Sequence, residues 1–314
     1  MRNLDKAFVS IVIPIYNEED NIPELTRRLI AVMKNYKRYE IIYVNDGSSD
    51  QSEALIEQYS EKNLSIKLLS LSRNFGHQVA ISAGIAHVSG EVVAIMDGDL
   101  QDPPEVLHKF FAKWCEGYDV VYAIRKKRKE NLVKRALYFV FYRLIEKISD
   151  INIPLDSGDF SVMDQKIIDK LNALPESNRF VRGMRAWLGY KQVGLEYERD
   201  RRFAGKPKYT FRMLVQLAYD GLVSFSRKPL HLATQIGMVV TLFSFVYIVI
   251  ILIKKLFFMG VEIEGWTSTI IVTLFMGGIQ LLMLGVLGEY IGRIFDETKR
   301  RPNYLIAKSR NLNI

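Results

Sequence analysis

Three carboxylates lie within six residues of one another in the stretch MDGDLQDPPE, Met96–Glu105. They are Asp97, Asp99 and Asp102, and they follow the apolar run VVAI directly. Like charges this close repel, so the stretch is either a solvated turn or a site that binds a cation. Mg²⁺ and Mn²⁺ prefer oxygen ligands and commonly take one or two carboxylates together with phosphate and water. The stretch therefore predicts a divalent metal site for a phosphorylated ligand, with Asp99 and Asp97 as ligands and Gln101 as a further oxygen donor.

The composition of the chain restricts the kind of ligand and the kind of partner that it could bind. The chain has 314 residues, a formal net charge of +8, four histidines and one cysteine, Cys115. A basic chain favours an anionic partner. A single cysteine excludes an intramolecular disulfide, and the histidines have no zinc-ligand spacing. Neither a P-loop nor a G-x-G-x-x-G motif occurs, so a bound nucleotide would need another kind of site.

Four short apolar runs predict the strands that position these acids. Their length and near-continuous apolarity are typical of strands buried on both faces, and segments of helical period separate them. This alternation predicts an α/β fold with a doubly wound, mostly parallel sheet, in which ligands bind at the carboxyl ends of the strands. The four runs are FVSIVIPIY (Phe8–Tyr16), EIIYVND (Glu40–Asp46), IKLLSLS (Ile66–Ser72) and EVVAIMD (Glu91–Asp97).

Polar residues follow every one of these predicted strands. The exits read PIYNEED, VNDGSSD, LSRNFGHQ and MDGDLQDPPE. Each motif alone is also ordinary turn or helix-cap chemistry, and Asp102 is interpreted as a helix cap before Pro103. Gly98 is expected to let the backbone turn tightly beside a ligand. Four polar exits on one edge of a sheet indicate a binding site.

Two long uncharged segments near the C-terminus predict a membrane hairpin. Residues 232–253 and 267–288 are each uncharged over 22 residues, long enough to cross a bilayer. Basic residues flank the outer ends of the pair, which favours a cytoplasmic location for both ends. Residues 210–230 are expected to form an amphipathic interfacial helix. No signal-peptide-like segment precedes the first predicted strand, so the catalytic part is expected in the cytoplasm.

The motifs, in this order and spacing, resemble the GT-A type, family 2 glycosyltransferases over roughly residues 8–225. With the hairpin, the sequence is most similar to the polyprenyl-phosphate glycosyltransferases. Within these it looks closest to the bactoprenol (undecaprenyl-phosphate) glucosyltransferase branch, and dolichol-phosphate mannose synthase is a more distant relative. The resemblance implies a nucleotide-sugar donor, a lipid phosphate acceptor, a divalent metal and inversion at the anomeric carbon.

The resemblance also implies roles for particular residues on the donor side. Pro14, Tyr16 and Glu18 would line the uridine pocket, and Asp46 would contact the base. Asp97 would lie near the ribose and the diphosphate. Asp99 would ligate the metal with help from Gln101.

On the acceptor side the resemblance implies phosphate binding by four basic residues, Arg125, Arg135, Arg202 and Lys208. Pro207, beside Lys208, departs from the family pattern, in which relatives often carry serine. Asp156 and Asp159 are the candidates for a general base. A phosphate monoester is largely ionised at pH 7 and needs no base, so a purely positioning role for these acids stays equally open. A glycosidase pair of carboxylates is the rival interpretation, but it explains neither the strand exits nor the hairpin.

We therefore expect four segments: a cytoplasmic GT-A domain (1–209), the interfacial helix (210–230), two transmembrane helices (231–292) and a cytoplasmic tail (293–314). The resemblance implies an enzyme of the bacterial inner membrane that transfers glucose from UDP-glucose to undecaprenyl phosphate. Two alternatives remain open, namely another nucleotide sugar such as a mannose donor, or a non-catalytic membrane module that binds nucleotide sugars. No nucleic-acid partner is expected. We do expect a homo-oligomer such as a tetramer. Small residues of the second span, including Gly277 and Gly278, would permit close helix contact.

Overall fold

The computed structural model describes residues 2–125, 157–177, 179–200, 203, 228–257 and 265–312. These residues fall into two compact units. One contains an eight-stranded sheet with its helices, and it includes the segment after residue 300. The other contains two long helices. The chain thus leaves the sheet unit for the helical unit and returns to the sheet unit before it ends.

The sheet is mixed but mostly parallel. Its strands are β1 (Phe8–Ile15), β2 (Arg38–Asn45), β3 (Ile66–Leu71), β4 (Val92–Ile95), β5 (Val120–Arg125), β6 (Ser157–Asp164), β7 (Gln192–Tyr197) and β8 (Ile306–Arg310). Their order across the sheet is β7-β5-β6-β4-β1-β2-β3-β8. β1 is parallel to β2 and β4, β2 to β3, and β5 to β7. β6 runs antiparallel between β4 and β5, and β8 runs antiparallel on β3.

Helices cover both faces of this sheet. They are α1 (Ile22–Met33), α2 (Ser52–Lys62), α3 (His77–Ile85), α4 (Leu107–Cys115), α5 (Gln165–Ala173) and α6 (Val181–Trp187), and a 3₁₀ turn (Pro104–Val106) precedes α4. The helical unit contains α7 (Lys228–Phe257) and α8 (Trp266–Lys299). The α/β class and the parallel arrangement of the first four strands are therefore as predicted from the sequence.

The central strands are apolar on both faces because helices pack against both. On one face Ile11 and Ile13 belong to a core with Leu25 of α1 and Phe110 of α4, all fully buried. On the other face α3 packs against β1 and β2. Burying each large apolar side chain contributes roughly 1.5–3 kcal/mol. The strands are consequently rigid supports for the polar residues that follow them.

The last strand closes one edge of the sheet. Asn311, just after β8, donates hydrogen bonds to the carbonyl oxygens of Ser60 (2.7 Å) and Ile66 (2.9 Å). The Ser72 N–H, at the exit of β3, donates to the carbonyl of Leu305 at 2.9 Å. An unpaired edge strand is a template for aggregation, and β8 covers that edge of β3. The segment after α8 is thus part of the sheet unit.

The two long helices of the second unit contact each other and expose large apolar side chains. Examples are Leu242 and Phe243 on α7 and Leu274 and Phe275 on α8. Among the described residues, one helical stretch, Thr269–Lys299, is long and apolar enough to cross a membrane, and Gly237–Tyr247 is a shorter apolar stretch. The predicted interfacial helix, except for its last residues, lies outside the described residues.

Deleting Ile306–Ile314 is expected to lower the Tm of the sheet unit by about 5–10 °C, because β3 would lose a strand of backbone hydrogen bonds and both bonds from Asn311. A thermal scan of the detergent-solubilised protein by intrinsic fluorescence measures this. Lys308→Ala is the matched control, since it removes only partly exposed ion pairs with Glu57 and Glu53 and should cost less than about 1 kcal/mol. Equal Tm values for the deletion and the control would show that β8 does not stabilise the sheet.

Candidate active site

The exit of β1 presents the residues predicted to hold a base. Pro14 lies near the end of β1, opposite Val44 of β2. Tyr16, just beyond the strand, is 39% exposed, and an aromatic ring can stack on a flat base. The Glu18 N–H donates to the hydroxyl of Ser52 at 2.9 Å, which ties this exit to the start of α2. Pro14, Tyr16 and Glu18 therefore lie together at one end of β1.

Asp46 joins the second strand exit to the third. Its two carboxylate oxygens accept the backbone N–H groups of Phe75 (2.7 Å) and Gly76 (2.9 Å). Burial raises the pKa of Asp46, and these two N–H groups act in the opposite direction. Asp46 is 2% exposed and therefore shapes the loop after β3. Its predicted contact with a base stays a prediction.

Gly47 permits the close approach of these two loops. Its φ is +66°, and a Cβ there would lie 2.5 Å from the carbonyl carbon of Arg73 and 2.6 Å from the nitrogen of Asn74. A side chain at Gly47 would displace the loop after β3, because backbone atoms cannot move aside as a flexible side chain can.

The exit of β4 makes its turn at Leu100. Leu100 has φ +58° and is 1% exposed, a strained conformation for a bulky residue that the buried side chain holds in place. Gly98 lies in this turn, although its φ is not left-handed, and its expected approach to a ligand stays a prediction. Glycine is needed at 98 for space, since a Cβ would lie 2.5 Å from Cδ1 of Ile15. Asp99 accepts the backbone N–H of Gln101 at 3.1 Å within this turn.

The antiparallel strand β6 brings Asp159 to the same place. Val92 pairs with Asp164 and Ile95 with Ser161. β4 ends at Ile95, and just beyond this pairing Asp97 and Asp159 both lie within 4 Å of the His77 side chain. The sequence suggested Asp159 as a base candidate but not its neighbour, because the β4–β6 pairing joins segments some 60 residues apart in the chain.

Three side chains that sequence reasoning did not assign bind these acids. Nε2 of His77 lies 3.6 Å from Oδ1 of Asp97 and 3.4 Å from Oδ2 of Asp159. Arg182 of α6 lies 3.3 Å from Asp159. Arg199 lies 4.0 Å from Asp97. Of these, His77 had a sequence signal, since it stands in the polar exit LSRNFGHQ.

Asp102 is a buried structural acid. The 3₁₀ turn after it begins at Pro104 with Pro103 in the N-cap position, so the interpretation of Asp102 as the cap residue is wrong. Its carboxylate accepts the hydroxyl of Tyr197, and Nε of Arg199 lies 3.5 Å away. Asp102 thereby ties the β4 exit to the end of β7.

Burial and charge shift the pKa values of the central groups in different directions. Burial raises the pKa of Asp97 to about 6, and the charges of Asp102, Asp159 and Asp99 add to the rise. Burial alone would lower the pKa of His77, but Asp159 and Asp97 raise it to about 9. Burial likewise opposes ionisation of Asp159, yet Arg182 and His77 hold its pKa well below the usual range. These two shifts favour a protonated His77 beside an ionised Asp159.

The oxygen atoms at the β4 exit include possible ligands for a divalent metal ion. Oδ1 of Asp97 is buried and accepts no hydrogen bond from the described residues. No group of three or more His, Cys, Asp and Glu side chains in the described ranges is close enough to hold a metal ion. The arrangement fits a Mg²⁺ or Mn²⁺ ion that takes one or two carboxylates and completes its shell with water and ligand phosphate.

Most residues predicted to act on the acceptor lie outside the part of the chain that the structure describes. Arg125 ends β5 opposite Tyr197 of β7. Arg135, Asp156, Arg202 and Lys208 lie outside the described residues. Their roles stay predictions.

The α/β sheet with buried acids at its strand exits is of the GT-A glycosyltransferase type, as the following family match shows. Two family models match the chain: "Glycosyl transferase family 2" over residues 10–171 and "GtrB C-terminal hairpin" over residues 228–294. The chain belongs to glycosyltransferase family 2, and it is a glycosyltransferase with a C-terminal hairpin. The family predicted from the motifs is confirmed.

Relatives match along nearly the whole chain. The uncharacterized glycosyltransferase YkcC of Bacillus subtilis (strain 168) is 47% identical over 302 residues, which cover 96% of this chain and 93% of that protein. The SfII prophage-derived bactoprenol glucosyl transferase of Shigella flexneri is 41% identical over 308 residues, which cover 97% and 99%.

A solved structure has the same fold. Glucosyl-3-phosphoglycerate synthase from Mycobacterium tuberculosis, in complex with Mn²⁺, UDP-glucose and phosphoglyceric acid, aligns with a TM-score of 0.50 and 16% identity over 69% of this chain and 78% of that one.

Gly47→Ala is expected to destabilise the sheet unit more than Gly117→Ala does. Both residues have positive φ, but an added Cβ at Gly117 meets nothing within 4 Å. Gly117→Ala should therefore cost only the left-handed strain, about 1–2 kcal/mol. Gly47→Ala adds a clash with the backbone of the β3 exit and should also reduce glycosyl transfer. Thermal unfolding and activity of the two variants, measured side by side, test this. A Gly47→Ala protein as stable as Gly117→Ala would contradict the close approach of the two loops.

Proposed function

We propose that the protein transfers glucose from UDP-glucose to undecaprenyl phosphate, with inversion, at the cytoplasmic face of the bacterial inner membrane. The observation that carries this proposal is the pair of buried acids, Asp97 and Asp159, beside the turn at the β4 exit that contains Asp99. A relative named bactoprenol glucosyl transferase, 41% identical over 97% of this chain, supports the lipid acceptor and the sugar. The apolar helices α7 and α8 support membrane association.

On the donor side, the proposal assigns the base to the pocket formed by Pro14, Tyr16 and Glu18, with Asp46 beside it. We propose that Asp99, with Asp97 and Gln101, holds a divalent cation, Mg²⁺ or Mn²⁺, whose positive charge offsets the charge that develops on the departing UDP. The raised pKa of Asp97 supports this assignment, because a buried carboxylate in a crowd of acids is stabilised by a nearby cation.

On the acceptor side, an oxygen of the lipid phosphate attacks the anomeric carbon of the sugar while the bond from that carbon to UDP breaks. Arg125, Arg135, Arg202 and Lys208 are proposed to bind the acceptor phosphate, which guanidinium groups do well through paired hydrogen bonds. No proton must be removed from an ionised phosphate. We therefore propose that Asp159, whose Oδ2 accepts a hydrogen bond from Gln78 and pairs with Arg182, orients groups at the site. Asp156, the other candidate, is likewise proposed to position groups, because the acceptor needs no base.

Incubating the purified protein with polyprenyl phosphate and one labelled nucleotide sugar at a time tests the function. The expected result is label in the extracted lipid with UDP-glucose and much less with GDP-mannose. Label from another donor alone would change the sugar assignment. No label from any donor would favour a binding module over an enzyme.

Asp99→Ala is expected to reduce transfer at least about 100-fold, because the leaving group would lose several kcal/mol of charge stabilisation. Excess chelator should have the same effect on the wild type, and added Mg²⁺ or Mn²⁺ should reverse it. Membrane insertion of Asp99→Ala, measured by fractionation, should match the wild type. Full activity of the variant, or of the wild type in chelator, would overturn the metal assignment.

A further inference from the structure

Asp97 and Asp159 lie close enough to contact the same imidazole nitrogen, and like charges that close repel. Both side chains are largely buried, with 23% and 12% exposure. The Oδ1 atoms of both acids accept no hydrogen bond from the described part of the chain. Something must hold these two carboxylates together.

His77 lies between them. Its Nε2 is 3.6 Å from Asp97 and 3.4 Å from Asp159, while Arg182 approaches only Asp159 and Arg199 only Asp97 and Asp102. Within the described ranges, His77 is the one side chain with an ion-pair contact to both acids. The distances are long for hydrogen bonds, as is common in sites that tighten when a ligand binds.

The loop after β3 holds His77 in this position. His77 is the first residue of α3, and the preceding Gly76 has φ +101°. Asp46 accepts the N–H groups of Phe75 and Gly76 and so fixes the backbone that leads into His77. The next residue, Gln78, donates from Nε2 to Asp159 at 3.0 Å and accepts the N–H of Val181 through its carbonyl oxygen. His77 therefore cannot move without disturbing contacts to three other elements.

We propose that His77 is a positioning residue, which bridges the carboxylate of Asp97 on the donor side and the carboxylate of Asp159 on the opposite strand and sets their separation. This inference rests on the proposed function, which assigns Asp97 to the donor side of the site. His77 transfers no proton in this scheme. Removing His77 would misplace the two acids, which must face the donor and the acceptor at the same time.

Kinetics of His77→Ala and His77→Gln test the proposal, with His87→Gln as the matched control. His87 follows the C-terminal end of the same helix, where its ring contacts the Ala83 carbonyl and Tyr304. We expect kcat to fall at least about tenfold in both His77 variants, while the KM for the acceptor changes little, since a small misplacement of reacting groups slows chemistry more than binding. His87→Gln should keep the wild-type kcat. Added imidazole should restore part of the kcat of His77→Ala, a rescue that a general loss of folding would not show.

A double-mutant cycle of His77→Ala with Asp159→Asn separates this inference from the proposed function. The readout is binding of UDP in the presence of Mn²⁺, which needs no turnover. If His77 offsets the repulsion between the two acids, its loss should weaken UDP binding at least about fivefold less in the Asp159→Asn background. Additive effects, together with a His77→Ala kcat within twofold of wild type, would overturn the positioning role. A wild type that transfers no sugar but shows the coupling would overturn only the proposed function.

Discussion

The crowding of carboxylates at one edge of the sheet is the constraint on which the site depends. Asp46, Asp97, Asp99, Asp102 and Asp159 all lie at this edge, and all but the partly accessible Asp97 and Asp159 are almost fully buried. An isolated buried carboxylate is costly unless hydrogen bonds or opposite charges compensate it.

Different contacts compensate the buried charges of four of these acids. Asp46 accepts two backbone N–H groups, and Asp102 accepts a tyrosine hydroxyl beside a guanidinium. Asp159 gathers Arg182, His77 and Gln78. Asp97 has ion-pair contacts of 3.6 Å with His77 and 4.0 Å with Arg199, and burial still raises its pKa to about 6. A cation would bind strongly beside Asp97, because the protein's own groups leave a deficit of positive charge there.

The mixed topology of the sheet creates this crowding. β4 has a parallel neighbour, β1, on one side and an antiparallel neighbour, β6, on the other. Parallel strands bring their carboxyl ends to one edge, so β1, β2, β3 and β4 supply four exits there. An antiparallel strand brings its amino end to the same edge, and β6 thereby adds Asp159. A purely parallel sheet would have placed the start of β6, and with it Asp159, at the opposite edge.

The path of the chain also differs from a simple series of segments. The helical unit follows β7, and the chain then returns to form β8 on the edge of β3. The hydrogen bond between Ser72 and Leu305 lies one residue from Arg73, at the loop that carries His77. The final segment therefore supports the third strand exit, although it is remote from it in sequence.

The sequence by itself determined the α/β class, the four parallel strands, the apolar helices near the C-terminus and the family, because these depend on local hydrophobic period and on short motifs. It also predicted that the acids at the strand exits lie together, since parallel strand exits must meet at one edge. Only the tertiary structure decided that Asp159 lies near Asp97, that His77, Arg182 and Arg199 contact them, and that Leu100 takes a left-handed φ. These relations depend on strand pairing and on contacts between segments far apart in the chain, and a local pattern carries no information about which distant segments will meet.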